Sequence, residues 1–576
     1  MRADNENAKR TIEAKSKDSE SEKQKNSTRG KFNIKYLGGA LFKRMARGGA
    51  SELGSNAEAV NKLNVFPVPD GDTGDNMRLT IESGLSAIEN TRSDDLSFVV
   101  EGLSHGMLLG ARGNSGVILS QLFAGMAKGL ESTKRADAQT LGQALRMGVK
   151  EAYSSVMTPT EGTILTVARE AVDYAVSRIT KKSTIRTLFA DLVEEMRRSL
   201  ARTPELLETL KEANVVDSGG AGLFYIMDGF NRVLNGERVK SGTRPTAMRA
   251  AKNIGHCEGK ISEFGYCTEL LVCLLPSRCD VVGFDIEKLK DFLSSVGNSV
   301  VAVKDEGIVK VHVHTFMPER VIEKCREFGE FLSVKIENMS LQHTDGETSE
   351  ADNAPKAKNG IVAVCNGDGV ERLFKEFGAD IVILGGQTHN PSTKDFLEAF
   401  SRINAENIFV FPNNANIFMA ATQAAALYSS AEVFVVESKS IATGYAAISS
   451  ADLSLSDPRA ILDAMNDAMS RATVGFISSA VRDAKIKGIR IRTGDTIGIV
   501  DKEIVVSDKS LLCAAERLIN KLLSDNDKSM LTIFKGDASA SDMMALDRFL
   551  KESFPKLEYY VIDGGQEIYP YIFLVE

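Results

Sequence analysis

Asn64-Val65-Phe66-Pro67-Val68-Pro69-Asp70-Gly71-Asp72-Thr73-Gly74-Asp75-Asn76-Met77 is the stretch on which the reading of this chain turns. Two prolines stiffen the approach, and two glycines then allow backbone geometry closed to other residues. Three carboxylates, Asp70, Asp72 and Asp75, fall within six residues. Crowded anions repel one another unless a positive group joins them. Magnesium favours carboxylate oxygens together with the oxygens of a nucleotide phosphate. Two plainer readings stand beside this one, a calcium loop and a simple turn. An EF-hand would need Glu at its twelfth position, where counting from Asp70 gives Ile81.

Around this loop, from about Phe32 to Val239, the pattern is helical. Leu37, Leu41 and Met45 recur at four; Phe98, Val99, Leu103 and Leu108 continue it, as do Leu188, Leu192, Val193 and Met196. The spacing predicts an all-α domain over 31–240. Two further Gly-rich turns open helical stretches: Gly110-Ala111-Arg112-Gly113-Asn114-Ser115-Gly116 and Asp217-Ser218-Gly219-Gly220. A turn of this kind at a helix N-terminus offers free N–H groups to phosphate. Ser115 acting as an ordinary helix cap explains the first turn equally well. No G-x-x-x-x-G-K-[ST] occurs, so a P-loop is excluded. Val301-Ala302-Val303-Lys304 mimics a protein-kinase strand without its companion motifs and is read as coincidence.

The rest divides by composition. Residues 1–30 hold one large aliphatic, Ile12, among charged and small polar residues and are expected to be disordered. Residues 241–262 read as a linker. Residues 263–340 form a small α/β domain, with strands at Leu270–Leu275 and Ile308–Val313 and a helix at Ile286–Val296. A second linker spans 341–358. In 359–576 strands at Ile361–Cys365, Ile381–Leu384, Ile408–Phe411 and Val433–Val436 alternate with helices, which predicts a parallel sheet.

The chain has 576 residues, 43% hydrophobic and 26% charged, with net charge −8. That is ordinary globular composition, and a net acidic chain is a poor partner for nucleic acid. No apolar run is long enough to be a transmembrane segment, and no apolar signal core opens the chain. Seven scattered cysteines suit a reducing cytoplasm. His312 and His314 sit two apart in an alternating strand and so share a face. With Cys267 they have the composition of a zinc site. The other reading has the valines facing the core and the histidines facing water. His256 and Cys257 are weaker candidates.

Taken together, these loops resemble the DAK2 nucleotide domain of dihydroxyacetone kinases. From about residue 32 onward the whole chain resembles the ATP-binding subunit family of bacterial fatty acid kinases. Support comes from Asn64 to Met77, Gly110 to Gln121, Glu161-Gly162-Thr163-Ile164-Leu165-Thr166 and Asp217 to Gly222. The middle domain matches through Gly265 to Glu269 and Val311 to Thr315. The last domain matches through Gly385-Gly386-Gln387-Thr388-His389-Asn390-Pro391-Ser392-Thr393 and Pro412-Asn413-Asn414.

The resemblance implies an antiparallel helical barrel holding ATP and two magnesium ions. Asp70 and Asp72 are the implied metal ligands, with Asn64 and Asp75 as further contacts and Thr73 beside them at the catalytic centre. Asn76, Gly113, Asn114, Ser115, Gly116, Thr163, Asp217 and Gly219 are implied at the nucleotide. Cys267, His312 and His314 are implied as zinc ligands. The C-terminal domain is implied to share the DegV-type fatty-acid-binding fold. A separate fatty-acid-binding carrier is the implied partner, its lipid carboxylate the phosphoryl acceptor and a homodimer the assembly. This chain departs from the family pattern in carrying Asp75 where Thr is usual and His389 where Met is usual. Two rival functions stay open: a kinase of a small polyol such as dihydroxyacetone, and a non-catalytic nucleotide-binding scaffold.

Overall fold

The computed structural model describes residues 34–64, 71–237, 266–338 and 356–576, apart from 282, 306, 387–388, 487, 502 and 525–528. The expected disordered tail, the first linker and Asp70 lie outside the described residues, as does all but the end of the second linker. The chain forms two compact units. One joins residues 1–244 to 356–576, and the other is 245–355.

In the first unit, α1 (Gly39–Asn61), α2 (Thr73–Ala87), α3 (Leu96–Leu109), α4 (Gly113–Gly129), α5 (Ala138–Ser154), α6 (Ile164–Ser177) and α7 (Ile185–Leu206) follow in order, then the short α8 (Glu208–Ala213) and α9 (Ser218–Leu234). Successive long helices pack side by side, and α9 packs on α7 and returns to pack on α1, closing a ring. Short connections make neighbours antiparallel, so the ring is an up-and-down helical barrel. Its interior holds Met45, Leu53, Met77, Leu103, Phe123, Leu165, Leu192 and Phe230. Phe98 is 59% exposed although it shares a predicted stripe with the buried Val99 and Leu103. A helix turns about 100° per residue, which puts Phe98 on the side away from the stripe of Leu96, Val99, Val100, Leu103 and Met107 that faces the core.

The same unit continues with a parallel sheet in the order β6-β5-β7-β8, built from β5 (Ala357–Cys365), β6 (Ile381–Leu384), β7 (Ala405–Phe411) and β8 (Glu432–Val435). α12 (Asp368–Glu376) follows β5, α13 (Thr393–Ser401) follows β6, and α14 (Phe418–Leu427) follows β7. A second, mixed sheet takes β9 (Thr473–Ser479), β12 (Thr496–Val500), β13 (Glu503–Asp508), β14 (Met530–Lys535), β15 (Glu558–Asp563) and β16 (Tyr571–Val575). The helical and α/β parts share a core. Ala111 and Val117 from the helical part are buried with Val364, Phe396, Phe400, Ile417 and Ala420.

The second unit is an antiparallel sheet in the order β2-β3-β1-β4: β1 (Tyr266–Leu274), β2 (Gly297–Asp305), β3 (Ile308–Thr315) and β4 (Gly329–Asn338). Its helices are α10 (Ile286–Val296) and α11 (Pro318–Arg326). Val309, Val311 and Val313 are buried with Leu270, Val272, Leu289 and Leu293.

Candidate active site

An up-and-down ring puts the N-termini of alternate helices at one end, here those of α2, α4, α6 and α9. Side chains tie them together. The Ser218 hydroxyl, in the first turn of α9, donates to Thr73 Oγ1 in the first turn of α2 at 3.3 Å. Gly113, which starts α4, has φ of +58° and lies against Asn76 of α2; a Cβ there would come within 2.6 Å of Asn76 Nδ2. Only glycine combines that dihedral with that approach. Asp217 caps α9 through Gly220 N–H at 2.7 Å and also accepts from the main chain of Ile164, so it joins α9 to the start of α6. Gly219 packs against Ile164, and Thr163 is the N-cap residue of α6, its hydroxyl donating to the Thr160 carbonyl at 2.7 Å.

Asp72 precedes α2 at the N-cap position, yet its carboxylate makes no capping bond. Asn61, reaching across from α1, caps α2 instead: its Oδ1 accepts from Gly74 N–H at 2.7 Å and from Asp75 N–H at 3.3 Å. Asp72 is thereby released to face Asn76 and Asn390, whose side-chain amides donate to it. Burial pushes its pKa up to about 6, against the pull of those hydrogen bonds. Its polar partners are amides rather than a lysine or arginine. A buried carboxylate so placed fits a divalent cation, which supplies the missing positive charge. Asp217 is likewise pushed up to about 6 by burial, opposed by the Gly220 and Ile164 N–H groups.

The remaining expected residues fall as follows. Gly71 N–H donates to the Asn64 carbonyl at 3.2 Å. Asp75 stands apart from Asp72's partners. One of its oxygens accepts from Asn61 Nδ2 at 2.7 Å, and the other pairs with Arg78 at 3.1 Å. Gly116 sits on Thr80. Ser115 is inside α4, which begins at Gly113 with Arg112 as its N-cap residue, so the ordinary capping role is not what Ser115 does. Asn114 turns to the α/β part, its Nδ2 3.4 Å from the Ala415 carbonyl and from Asn416 Oδ1. Thus Asp72, Thr73, Asn76, Gly113, Asp217 and Gly219 are linked through contacts, while Asn114 and Asp75 face elsewhere.

Asn61 lies outside the expected set, and two further contributors do as well. Asn390 follows β6, in the Gly385–Thr393 run that carries the resemblance without an expected site residue. Arg112 holds the Asn390 carbonyl at 2.7 Å and lies 3.4 Å from Asp395. Thr393 N–H donates to the Ala111 carbonyl at 3.2 Å, and Arg112 and Ser392 form a β-bridge.

Among the described residues, no group of three or more His, Cys, Asp or Glu is disposed to hold a metal. Asp70 and the side chains of Cys267, His312 and His314 are not among those described. In backbone register, β1 and β3 set Cys267 directly opposite His314. No helix among the described residues is long and apolar enough to cross a membrane.

A ring of helices presenting clustered N-termini beside a buried aspartate defines a DAK2-type domain, and the DAK2 domain family matches residues 67–232. The FakA-like middle domain of fatty acid kinases matches 263–346, and the FakA-like C-terminal domain matches 360–576. Protein YloV of Bacillus subtilis is 40% identical over 560 residues, covering 95% of this chain and 100% of that protein. An uncharacterized protein of Staphylococcus epidermidis is 39% identical over 559 residues, covering 94% and 100%. The chain therefore belongs to the FakA-like family of DAK2-domain proteins, a kinase-like family. Among solved structures, dihydroxyacetone kinase from C. freundii with AMP-PNP and Mg2+ aligns over 36% of each chain at 15% identity, with a TM-score of 0.28. DegV, a fatty acid binding protein from Bacillus subtilis, aligns over 38% of this chain and 98% of its own at 10% identity and 0.29. Scores this low carry no argument about fold or activity.

Proposed function

We propose that this chain is the ATP-binding subunit of a fatty acid kinase, transferring the γ-phosphoryl group of ATP to the carboxylate of a fatty acid offered by a separate carrier protein. The observation that supports this most is the linking of four helix N-termini at the end where Asp72 lies: α4 to α2 through Gly113 and Asn76, α9 to α2 through Ser218 and Thr73, and α6 to α9 through Ile164 and Asp217. Such an end binds phosphate oxygens through main-chain N–H groups. Gly113 and Gly219 keep that surface free of side chains. Asp70 and Asp72 hold magnesium, two ions in this reading, with Asn64 contributing. Bound magnesium neutralises the phosphate charge.

The acceptor needs no general base, because a carboxylate is already an anion. Its oxygen attacks the γ-phosphorus, the bond to the β,γ-bridging oxygen breaks, and ADP leaves with that electron pair. An acyl phosphate results. What the protein contributes is alignment and charge compensation. In this reading Thr73, whose Oγ1 accepts from the Ser218 hydroxyl, steadies a phosphate oxygen. Zinc on Cys267, His312 and His314, a homodimer and a cytoplasmic setting, where ATP is supplied, belong to the same reading.

The test incubates the protein with γ-labelled ATP, magnesium, oleate and a lipid-carrier protein, and looks for labelled acyl phosphate. Label in that product, dependent on carrier, supports the reading. Turnover of dihydroxyacetone without carrier, or nucleotide binding with no transfer, overturns it.

A further inference from the structure

Asn390 belongs to the α/β part of the chain, yet it is buried to 2% exposure against the helical part. Its side-chain N–H donates to Asp72 Oδ2. Among the described residues its Oδ1 has no hydrogen-bond partner. A buried amide oxygen left bare is destabilising, so such groups are rare without a reason. The amide cannot simply be turned over, because its oxygen would then face the Asp72 carboxylate.

The loop that carries Asn390 is held from both ends. Arg112 grips the Asn390 carbonyl. Two residues on, Ser392 caps α13 in a reciprocal pair with Asp395, and Asp395 lies 3.4 Å from Arg112. Thr393 N–H is bound to the Ala111 carbonyl. Gly113, the start of the proposed phosphate turn, would bring a Cβ within 3.4 Å of Asn390 Nδ2. Asn390 thus touches the aspartate loop and abuts the glycine turn from a third segment of sequence.

We infer that Asn390 is a positioning residue of the nucleotide–metal site, supplied by the α/β part: its N–H fixes the rotamer of Asp72, and its bare Oδ1 accepts hydrogen bonds from the water shell of the cation. This inference rests on the reading of Asp72 as a magnesium ligand. It makes the site a product of both parts of the chain, so that the docked α/β part sets how tightly the metal is held. Partners that orient a metal-binding side chain typically contribute about 10–100-fold in metal affinity.

The experiment titrates magnesium against binding of a fluorescent, non-hydrolysable ATP analogue to the full-length protein. Asn390→Ala and the milder Asn390→Ser are compared with Gln423→Ala. Gln423 ties the same two parts together, donating to the Leu108 carbonyl at 2.7 Å and to Thr393 Oγ1 at 3.2 Å, and makes no contact with Asp72. Thermal melting of each variant without ligand reports folding separately. Expected is an increase of about tenfold in half-saturating magnesium for Asn390→Ala, a smaller one for Asn390→Ser, and none for Gln423→Ala. Equal shifts in Asn390→Ala and Gln423→Ala mean a merely structural contact and overturn the inference. So does an unshifted Asn390→Ala or Asn390→Ser in a protein that binds magnesium and nucleotide normally. If the unaltered protein binds no nucleotide with magnesium, the functional reading and this inference fall together.

Discussion

Asn61 Oδ1 accepts from Gly74 N–H at 2.7 Å, so a residue at the end of one helix caps the start of the next. Aspartate at an N-cap position ordinarily does this for its own helix. Here the task passes to Asn61, which releases the Asp72 carboxylate from capping. We predict that Asn61→Ala lowers stability by about 1 kcal/mol, the usual worth of a lost cap. It should also weaken magnesium-dependent nucleotide binding, because Asp72 swings back to cap α2. Thermal melting and a magnesium titration read the two effects separately. Loss of stability with unchanged magnesium dependence would show that Asn61 is a cap and nothing more.

Asp217 offers a pH test in the protein without nucleotide. Its pKa is raised to about 6 by burial, above the ordinary aspartate value of 3.8. The folded protein therefore holds this proton in a range where the unfolded chain has lost it. The stability tied to that proton is fully present below about pH 4 and is lost as pH rises through 6. Asp217→Asn removes the titration while keeping an oxygen for one of the two N–H groups. The melting-temperature difference, unaltered protein minus variant, should be more favourable to the unaltered protein at pH 4.5 than at pH 7.5. A difference independent of pH would mean that Asp217 is not buried as described.

Asp72 and Asp75 of the loop should separate by function. Asp72 is buried with amide partners alone, whereas Asp75 is half exposed and committed to Arg78 and Asn61. Asp72→Asn should cut ATP turnover by about 100-fold or more, the scale of removing one preorganised electrostatic contact from an active site. Asp75→Thr should leave it within a few-fold. Steady-state ADP release in the presence of lipid and carrier distinguishes the two. Comparable losses would put Asp75 among the metal ligands, at the expense of its pair with Arg78.

How much of this is legible in the sequence is uneven, for physical reasons. Helix Ile286–Val296 and strand Ile381–Leu384 are readable end for end, because the apolar period and the flanking turns agree. Strand β2 is harder: Val301 to Lys304 stands out only for its likeness to a kinase strand, and that likeness is a coincidence of motif although the segment is a strand. The loop aspartates and glycines stand out by crowding and dihedral need, both local properties. Asn390 does not, since 318 residues separate it from Asp72 and nothing local in Gly385 to Thr393 announces a contact with another domain. Ser115 misleads for the opposite reason. Its residue type suits a cap, but α4 begins two residues earlier, where Gly113 can take a positive φ.

The middle unit carries the last prediction. Residues paired directly across antiparallel strands have neighbouring Cβ atoms, and β1 and β3 pair Cys267 with His314 and Glu269 with His312. Val309, Val311 and Val313 fill the buried face, so the histidines occupy the alternate positions of that strand. Solvent-facing histidines and a Cys/His/His metal site both satisfy this alternation; only the cross-strand cysteine favours the metal. Protein purified without added metal should contain close to one zinc per chain by elemental analysis. A His312→Ala, His314→Ala double variant should contain none, and its middle unit should melt earlier, since a structural zinc stabilises the fold that forms it. Unaltered protein free of zinc, even after refolding with it, would leave the histidines as surface residues and remove zinc from the proposed reading.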